Sequence, residues 1–176
     1  MKSTIVGFSE GQAMVYRLGG ISLEAIESWV GPVKIQAHSS SNPSAPGMLM
    51  SHYAPRKPLY ILPNEAELAN WLKQYEPEQI GFMGFKATQK ALLPGKQRIL
   101  SARGNLAEAA QRLFASMRYL DGLDIKIILA EMLPEEGLGR AINDRIRRAA
   151  ANISIIPLAD NYHFFLALYL YFCYVF

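Results

Sequence analysis

Apolar residues recur along this chain at two spacings, and the alternation between them is clearest from residue 58 onward. Residues 58–62 (PLYIL), 80–85 (IGFMGF) and 124–133 (DIKIILAEML) are short apolar runs that read as strands. The last is so nearly continuous that it predicts a strand covered on both faces. A further short strand is expected around residues 98–100 (RIL). Between these runs, Asn64 with Glu67 and Asn105 with Glu108 form capping-box-like helix starts. Leu68, Trp71 and Leu72 give the first helix an apolar face. The second, LAEAAQRLFASMRYLD, would bury Leu106, Ala109, Ala110, Leu113, Phe114, Met117 and Leu120. Residues 137–150 (GLGRAINDRIRRAA) open on glycines and continue as a basic helix. Strands alternating with helices predict an α/β domain with a mainly parallel sheet over residues 58–158.

The N-terminal part has a different texture. Residues 3–8 (STIVGF) and 14–17 (MVYR) read as two strands, with Glu10-Gly11 as the turn between them. A hairpin alone cannot bury a core, so this one is expected either to join the following domain or to be the edge of a larger one. After Gly19-Gly20, Ser22 is placed as an N-cap, and Leu23, Ile26, Trp29 and Val30 fall on one helical face. Gly31-Pro32 ends that helix, and residues 33–35 are a brief strand. Residues 39–58 (SSSNPSAPGMLMSHYAPRKP) then carry no helical or strand period, and four prolines break them. Loops of this length tend to be functional or disordered. The presence of Met48, Met50, His52 and Tyr53 predicts an ordered strap whose side chains dock on something. The organisation expected is thus 1–35, a strap at 36–57, the α/β domain at 58–158, and an apolar tail at 159–176.

Composition narrows the class only modestly. Of 176 residues, 51% are hydrophobic and 19% charged, which is globular rather than disordered. The net charge of +3 permits an anionic partner such as a nucleotide or RNA without establishing one. Cys173 is the one cysteine, so no disulfide forms within the chain, and no Cys/His spacing points to a metal. A reducing cytoplasm fits, and residues 1–10 lack the apolar run of a signal peptide. The tail FFLALYLYFCYVF is shorter than the ~20 residues that span a bilayer, and no membrane role is assigned to it.

Several residues carry candidate chemistry. Ser3 and Thr4 open a strand, where hydroxyls can bind a carboxylate or phosphate, although ordinary β-propensity explains them as well. Arg17 ends a strand beside a glycine turn, where a guanidinium can fork onto a phosphate or form a surface ion pair. His52-Tyr53 sit in a stiff proline frame, where an aromatic can stack on a base or pin the strap to a surface. Gly137-Leu138-Gly139-Arg140 resembles an anion-binding helix start but is not a dinucleotide fingerprint. Arg140, Arg145, Arg147 and Arg148 predict a positive, solvated helix face; RNA phosphate contact is the sharper reading. Asn143-Asp144-Arg145 reads as an internal hydrogen-bonded knot that orients the helix.

Five blocks carry a resemblance: STIVGF, YRLGGIS, APGMLMSHYAP, LSARGNLAEAAQRLFASMRYLD and LPEEGLGRAINDRIRRAA. Together they resemble the two-domain threonylcarbamoyl-AMP synthase family, in family order and over most of residues 3–150. That family joins a YrdC-like catalytic domain to a smaller Rossmann-like α/β domain through a proline-rich strap. The resemblance implies the C-terminal portion of such an enzyme, with residues 1–35 a remnant of the YrdC-like domain. The family makes threonylcarbamoyl-adenylate and diphosphate from L-threonine, bicarbonate and ATP, with Mg2+ accompanying ATP. Its product feeds tRNA threonylcarbamoyladenosine modification. By the same resemblance Ser3 lies at the L-threonine site, Arg17 contacts ATP, and Tyr53 reaches back over the nucleotide; Thr4 and His52 are secondary candidates.

The family's catalytic domain is longer upstream of STIV and includes a basic ATP-gripping motif. The chain alone is therefore expected to lack most of the active site and to work with an N-terminal catalytic half, with tRNA-pathway proteins as further partners. A non-catalytic nucleotide- or RNA-binding α/β module is the alternative, and a remnant without present function a third.

Overall fold

The computed structural model describes residues 3–35 and 54–151. The N-terminal region opens with β1 (Ile5–Ser9) and β2 (Gln12–Arg17), an antiparallel hairpin turned at Glu10 and Gly11. Both turn residues have positive φ, 50° and 77°, as a tight two-residue hairpin turn requires. The register shifts near the open end. Ile5 faces Arg17 whereas Val6 faces Val15, so Tyr16 is an extra residue on β2. Helix α1 (Leu23–Val30) follows, capped by Ser22, whose hydroxyl accepts from the Ala25 amide at 3.2 Å. β3 (Lys34–Ile35) then returns parallel to β2.

The expected apolar face of α1 is only partly realised. Ile26 is buried, but Trp29 is 88% exposed and Val30 is exposed too. Among the described residues no element lies over that side, and periodicity alone cannot supply a packing partner.

The second region is the expected α/β layer structure. Its strands are β4 (Leu59–Leu62), β5 (Ile80–Gly84), β6 (Gln97–Ile99) and β7 (Ile127–Glu131). They form one parallel sheet in the order β4-β7-β5-β6. Helix α2 (Glu65–Trp71) covers one face; α3 (Leu106–Asp121) and α4 (Leu138–Ala150) cover the other. Alternation along β7 explains its uniform hydrophobicity. Ile127 and Leu129 pack with Leu68 of α2, while Ile128 and Ala130 pack with α3 and α4. Both predicted caps form: Asn64 accepts from the Glu67 amide at 3.1 Å and Asn105 from that of Glu108 at 2.9 Å. On α3, Ala109, Ala110, Leu113, Met117 and Leu120 are buried, with Leu106 and Phe114 partly so.

Residues 54–57, which lead into β4, sit at the end of α3. The Lys57 amide donates to an Asp121 carboxylate oxygen at 3.0 Å, and its ammonium to the Asp121 carbonyl at 2.5 Å. Among the described residues no helix is long and apolar enough to cross a membrane. Residues 36–53, which carry His52 and Tyr53, and the apolar tail lie outside the described residues.

The turn from β7 into α4 leaves no room for a side chain at Gly139. A Cβ on Gly139 would lie 1.9 Å from the Pro134 carbonyl oxygen, a backbone atom. Gly139→Ala is therefore expected to lower stability by about 1–3 kcal/mol, the usual cost of overpacking. Gly95→Ala, where a Cβ meets nothing within 4 Å, should be near neutral. Urea melts of the two variants check the contrast.

Candidate functional site

Strand β2 alternates half-buried and buried residues, and the buried set is Ala13, Val15 and Arg17. Strand period two thus carries Arg17 inward at the strand's end, where it is 8% exposed. Its guanidinium turns to the start of β1. Nε donates to the Ser3 carbonyl at 3.1 Å, and Nη2 donates to the Ser3 hydroxyl at 2.9 Å. The hairpin thereby brings together two residues that lie 14 positions apart. Thr4 is used differently. Its hydroxyl donates to the Ile21 carbonyl and accepts from the Ile21 amide, both at 3.0 Å, which fixes the glycine segment after β2.

Helix α4 lies against this end of the hairpin and departs from the expected solvated basic face. Arg145 and Arg148 are 6% and 8% exposed. Both bind the buried Asp144. Arg148 Nε reaches its two carboxylate oxygens at 3.1 and 3.0 Å, and Arg145 Nη1 donates to one of them. Arg145 Nη2 also donates to the Leu18 carbonyl at 2.8 Å, directly after Arg17. Burial pulls the Arg145 pKa down, Asp144 opposes this, and the nearby charges of Arg148 and Arg17 add to it.

The two remaining arginines of this helix are also paired, Arg140 with Glu24 and Arg147 with Glu135. All four guanidiniums of the expected basic face therefore hold carboxylates of the chain itself. Burial of Arg145 and Arg148 removes the solvated face from the sequence expectation, because Asp144 offsets the cost of taking them out of water.

Asn143 completes the predicted knot. Its amide oxygen accepts from the Leu133 amide at 2.9 Å, and its NH2 donates to the Leu133 carbonyl at 2.8 Å and to Glu135 at 2.9 Å. The glycine-rich start of α4 does attract an anion, and that anion is internal. Glu24 of α1 sits there, accepting from the Gly137 amide at 3.5 Å and from Arg140. This environment lowers the Glu24 pKa from the usual 4.5 to about 2, with the Arg140 hydrogen bond as the largest cause.

The comparisons with known proteins bear on this arrangement. Residues 21–151 match the family described as threonylcarbamoyl-AMP synthase, C-terminal domain. The chain belongs to that family. It is 27% identical to the threonylcarbamoyl-AMP synthase of Bacillus subtilis, over 85% of this chain and 45% of that protein. Among solved structures it is similar to Sua5 of Pyrococcus abyssi complexed with L-threonine: TM-score 0.71, 29% identity, 85% of this chain and 46% of that one. A variant of the same Pyrococcus abyssi protein, with a histidine and the following tyrosine changed to alanine, gives a TM-score of 0.69 at 25% identity, over 85% of this chain and 45% of that one. The chain thus spans under half the length of the relatives it matches. The expected α/β fold and the expected family are both borne out.

Sequence reasoning placed Ser3 and Arg17 at separate strand ends without pairing them. The pairing depends on the hairpin register, which the Glu10-Gly11 turn sets. The role of Glu24 was missed altogether. A lone glutamate in a first helical turn signals only a favourable dipole, and nothing in the sequence shows which helix it will face.

Acid titration tests the Glu24 contact. A carboxylate with a depressed folded pKa stabilises the fold above its unfolded pKa and loses that contribution as pH falls through the folded value. Stability contributed by Glu24 should therefore disappear between about pH 4.5 and about pH 2. Glu24→Gln should flatten that part of the stability–pH curve in urea melts and leave neutral-pH spectra unchanged.

Proposed function

We propose that this chain is the C-terminal part of a threonylcarbamoyl-AMP synthase, acting with an N-terminal catalytic half. In this reading the whole enzyme joins L-threonine, bicarbonate and ATP into threonylcarbamoyl-adenylate and releases diphosphate, for modification of tRNA. Residues 1–35 close the catalytic domain, residues 36–57 are the strap, and residues 58–158 are the companion α/β domain. The observation that carries it is the contact of Arg17 with Ser3. It sets the guanidinium assigned to ATP against the hydroxyl assigned to L-threonine.

The chemistry suits those groups. The product joins a carbamate oxygen to the α-phosphorus of ATP, and the bond from that phosphorus to diphosphate breaks. A fixed guanidinium can offset the charge that gathers on the departing diphosphate. Ser3 can orient L-threonine by hydrogen bonding, with Thr4 holding the neighbouring backbone in place. That the Pyrococcus abyssi relative is described with L-threonine bound supports the substrate class.

Tyr53 is assigned to close over the nucleotide with His52, excluding water from the labile carbamate. His52-Tyr53 is the one His-Tyr pair in this sequence, and a His-Tyr pair is what the solved Pyrococcus abyssi variant replaces. Mg2+ accompanying the triphosphate belongs to the same reading. A cytoplasmic setting belongs to the same reading and agrees with a single cysteine.

Calorimetric titration of ATP into the chain, with L-threonine and bicarbonate present, tests the site. Arg17→Ala should weaken ATP binding at least tenfold, about 1.4 kcal/mol, in a variant that still melts cooperatively. Unchanged affinity in the folded variant removes Arg17 from the site. Adding the N-terminal half of the Bacillus subtilis relative should give diphosphate release that depends on Arg17. No release, with both pieces folded, would count against the assignment.

A further inference from the structure

We propose that Arg145 is a positioning residue for Arg17, by which α4 holds the end of β2 where Arg17 faces Ser3. For its consequence in ATP binding this rests on the reading of Arg17 given above; the positioning itself does not. The chain after β2 runs Arg17-Leu18-Gly19-Gly20. Two glycines in a row leave the strand end free to swing, and Leu18 lies beyond the last strand residue. The Leu18 carbonyl is held from outside its own sheet, by Arg145 Nη2 at 2.8 Å. Thr4 holds the far side of the glycine pair through Ile21. Between them, these two anchors fix the backbone that carries Arg17.

Arg145 is itself unusually well fixed for a long side chain. Its side chain is 6% exposed and bound to the equally buried Asp144, which Arg148 braces from one helical turn further on. A guanidinium is a planar fork with donors in fixed directions. With Nη1 on Asp144 and Nη2 on Leu18, its orientation is determined at both ends. Leu18 directly follows Arg17, so the Nη2 bond sets Arg145 against the backbone that carries Arg17. A shift of α4 therefore moves the backbone next to Arg17, and the companion layer has a direct mechanical hold on the residue assigned to ATP.

The test reads the orientation of Arg17 directly. Its Nε–H, which donates to the Ser3 carbonyl, should give a dispersed, exchange-protected resonance in 15N spectra of the full chain, assigned by its loss in Arg17→Ala. In Arg145→Met that resonance should move to the free-arginine position and lose protection. Arg145→Lys, which keeps a donor and the charge, should restore part of it. Arg147→Met, on an exposed arginine of the same helix, should leave it in place. A purely structural role for Arg145 would lower the melting temperature of Arg145→Met without moving the Arg17 signal; that result overturns the proposal. If Arg145→Met does not fold, Asp144→Asn is read in the same way, since it keeps shape but removes the charge that fixes Arg145. An unmoved Arg17 signal there also overturns it.

ATP titration then separates the two readings. If Arg17 is positioned by Arg145 and binds ATP, Arg145→Met should raise the Kd for ATP about tenfold. A moved Arg17 signal with no ATP effect from Arg17→Ala leaves the positioning standing and removes the ATP assignment. An Arg17-dependent ATP affinity with an unmoved signal in Arg145→Met does the reverse.

Discussion

One buried carboxylate, Asp144, sets the geometry around which the two regions of this chain meet. A charge taken out of water is tolerated only with close, well-directed partners. Asp144 has two, Arg145 and Arg148, both almost wholly buried with it. Arg145 reaches on to the Leu18 carbonyl at the end of β2. On the adjoining position of the same helix, Asn143 binds the amide and the carbonyl of Leu133, where the chain leaves β7. Helix α4 is thus held on one side to the parallel sheet and on the other to the hairpin. Removing one member of such a set costs more than the set contributes over an apolar core, because it strands a buried charge.

The second contact between the regions uses the same logic at the surface. Glu24 of α1 lies at the glycine-rich start of α4, where exposed amides and the helix dipole favour a negative group, and Arg140 closes over it. An anion site that a sequence motif offered to a ligand is filled from within the chain.

The segment that leads into β4 is held by similar means. Its last residues are fixed by Asp121 at the end of α3, which takes the Lys57 amide and has its own carbonyl bound by the Lys57 ammonium. The partner pair Arg56–Asp121 is exposed on the arginine side and adds little. The attachment at Lys57 thus pairs a main-chain group with a charged side chain in each of its two bonds, and the exposed Arg56 is secondary to it.

The sequence by itself determined the element order, the helix starts at Asn64 and Asn105, the uniformly buried central strand, and the polar knot at Asn143–Arg145. Each of these is a local matter: capping needs a side chain three residues from an amide, and a strand covered on both faces reads as a nearly unbroken apolar run. The family was legible too, from short blocks whose order survives. Only the tertiary structure decided that Trp29 faces solvent, that Arg145 and Arg148 are buried, that Glu24 sits beside the start of α4, and that Arg17 meets Ser3. Helical period says which residues share a face but not whether another layer covers it, and a basic helix looks solvated until a buried aspartate is seen beside it. The pairing of Arg17 with Ser3 depends on hairpin register and on a hold from a helix more than a hundred residues away, distances over which sequence patterns carry no information.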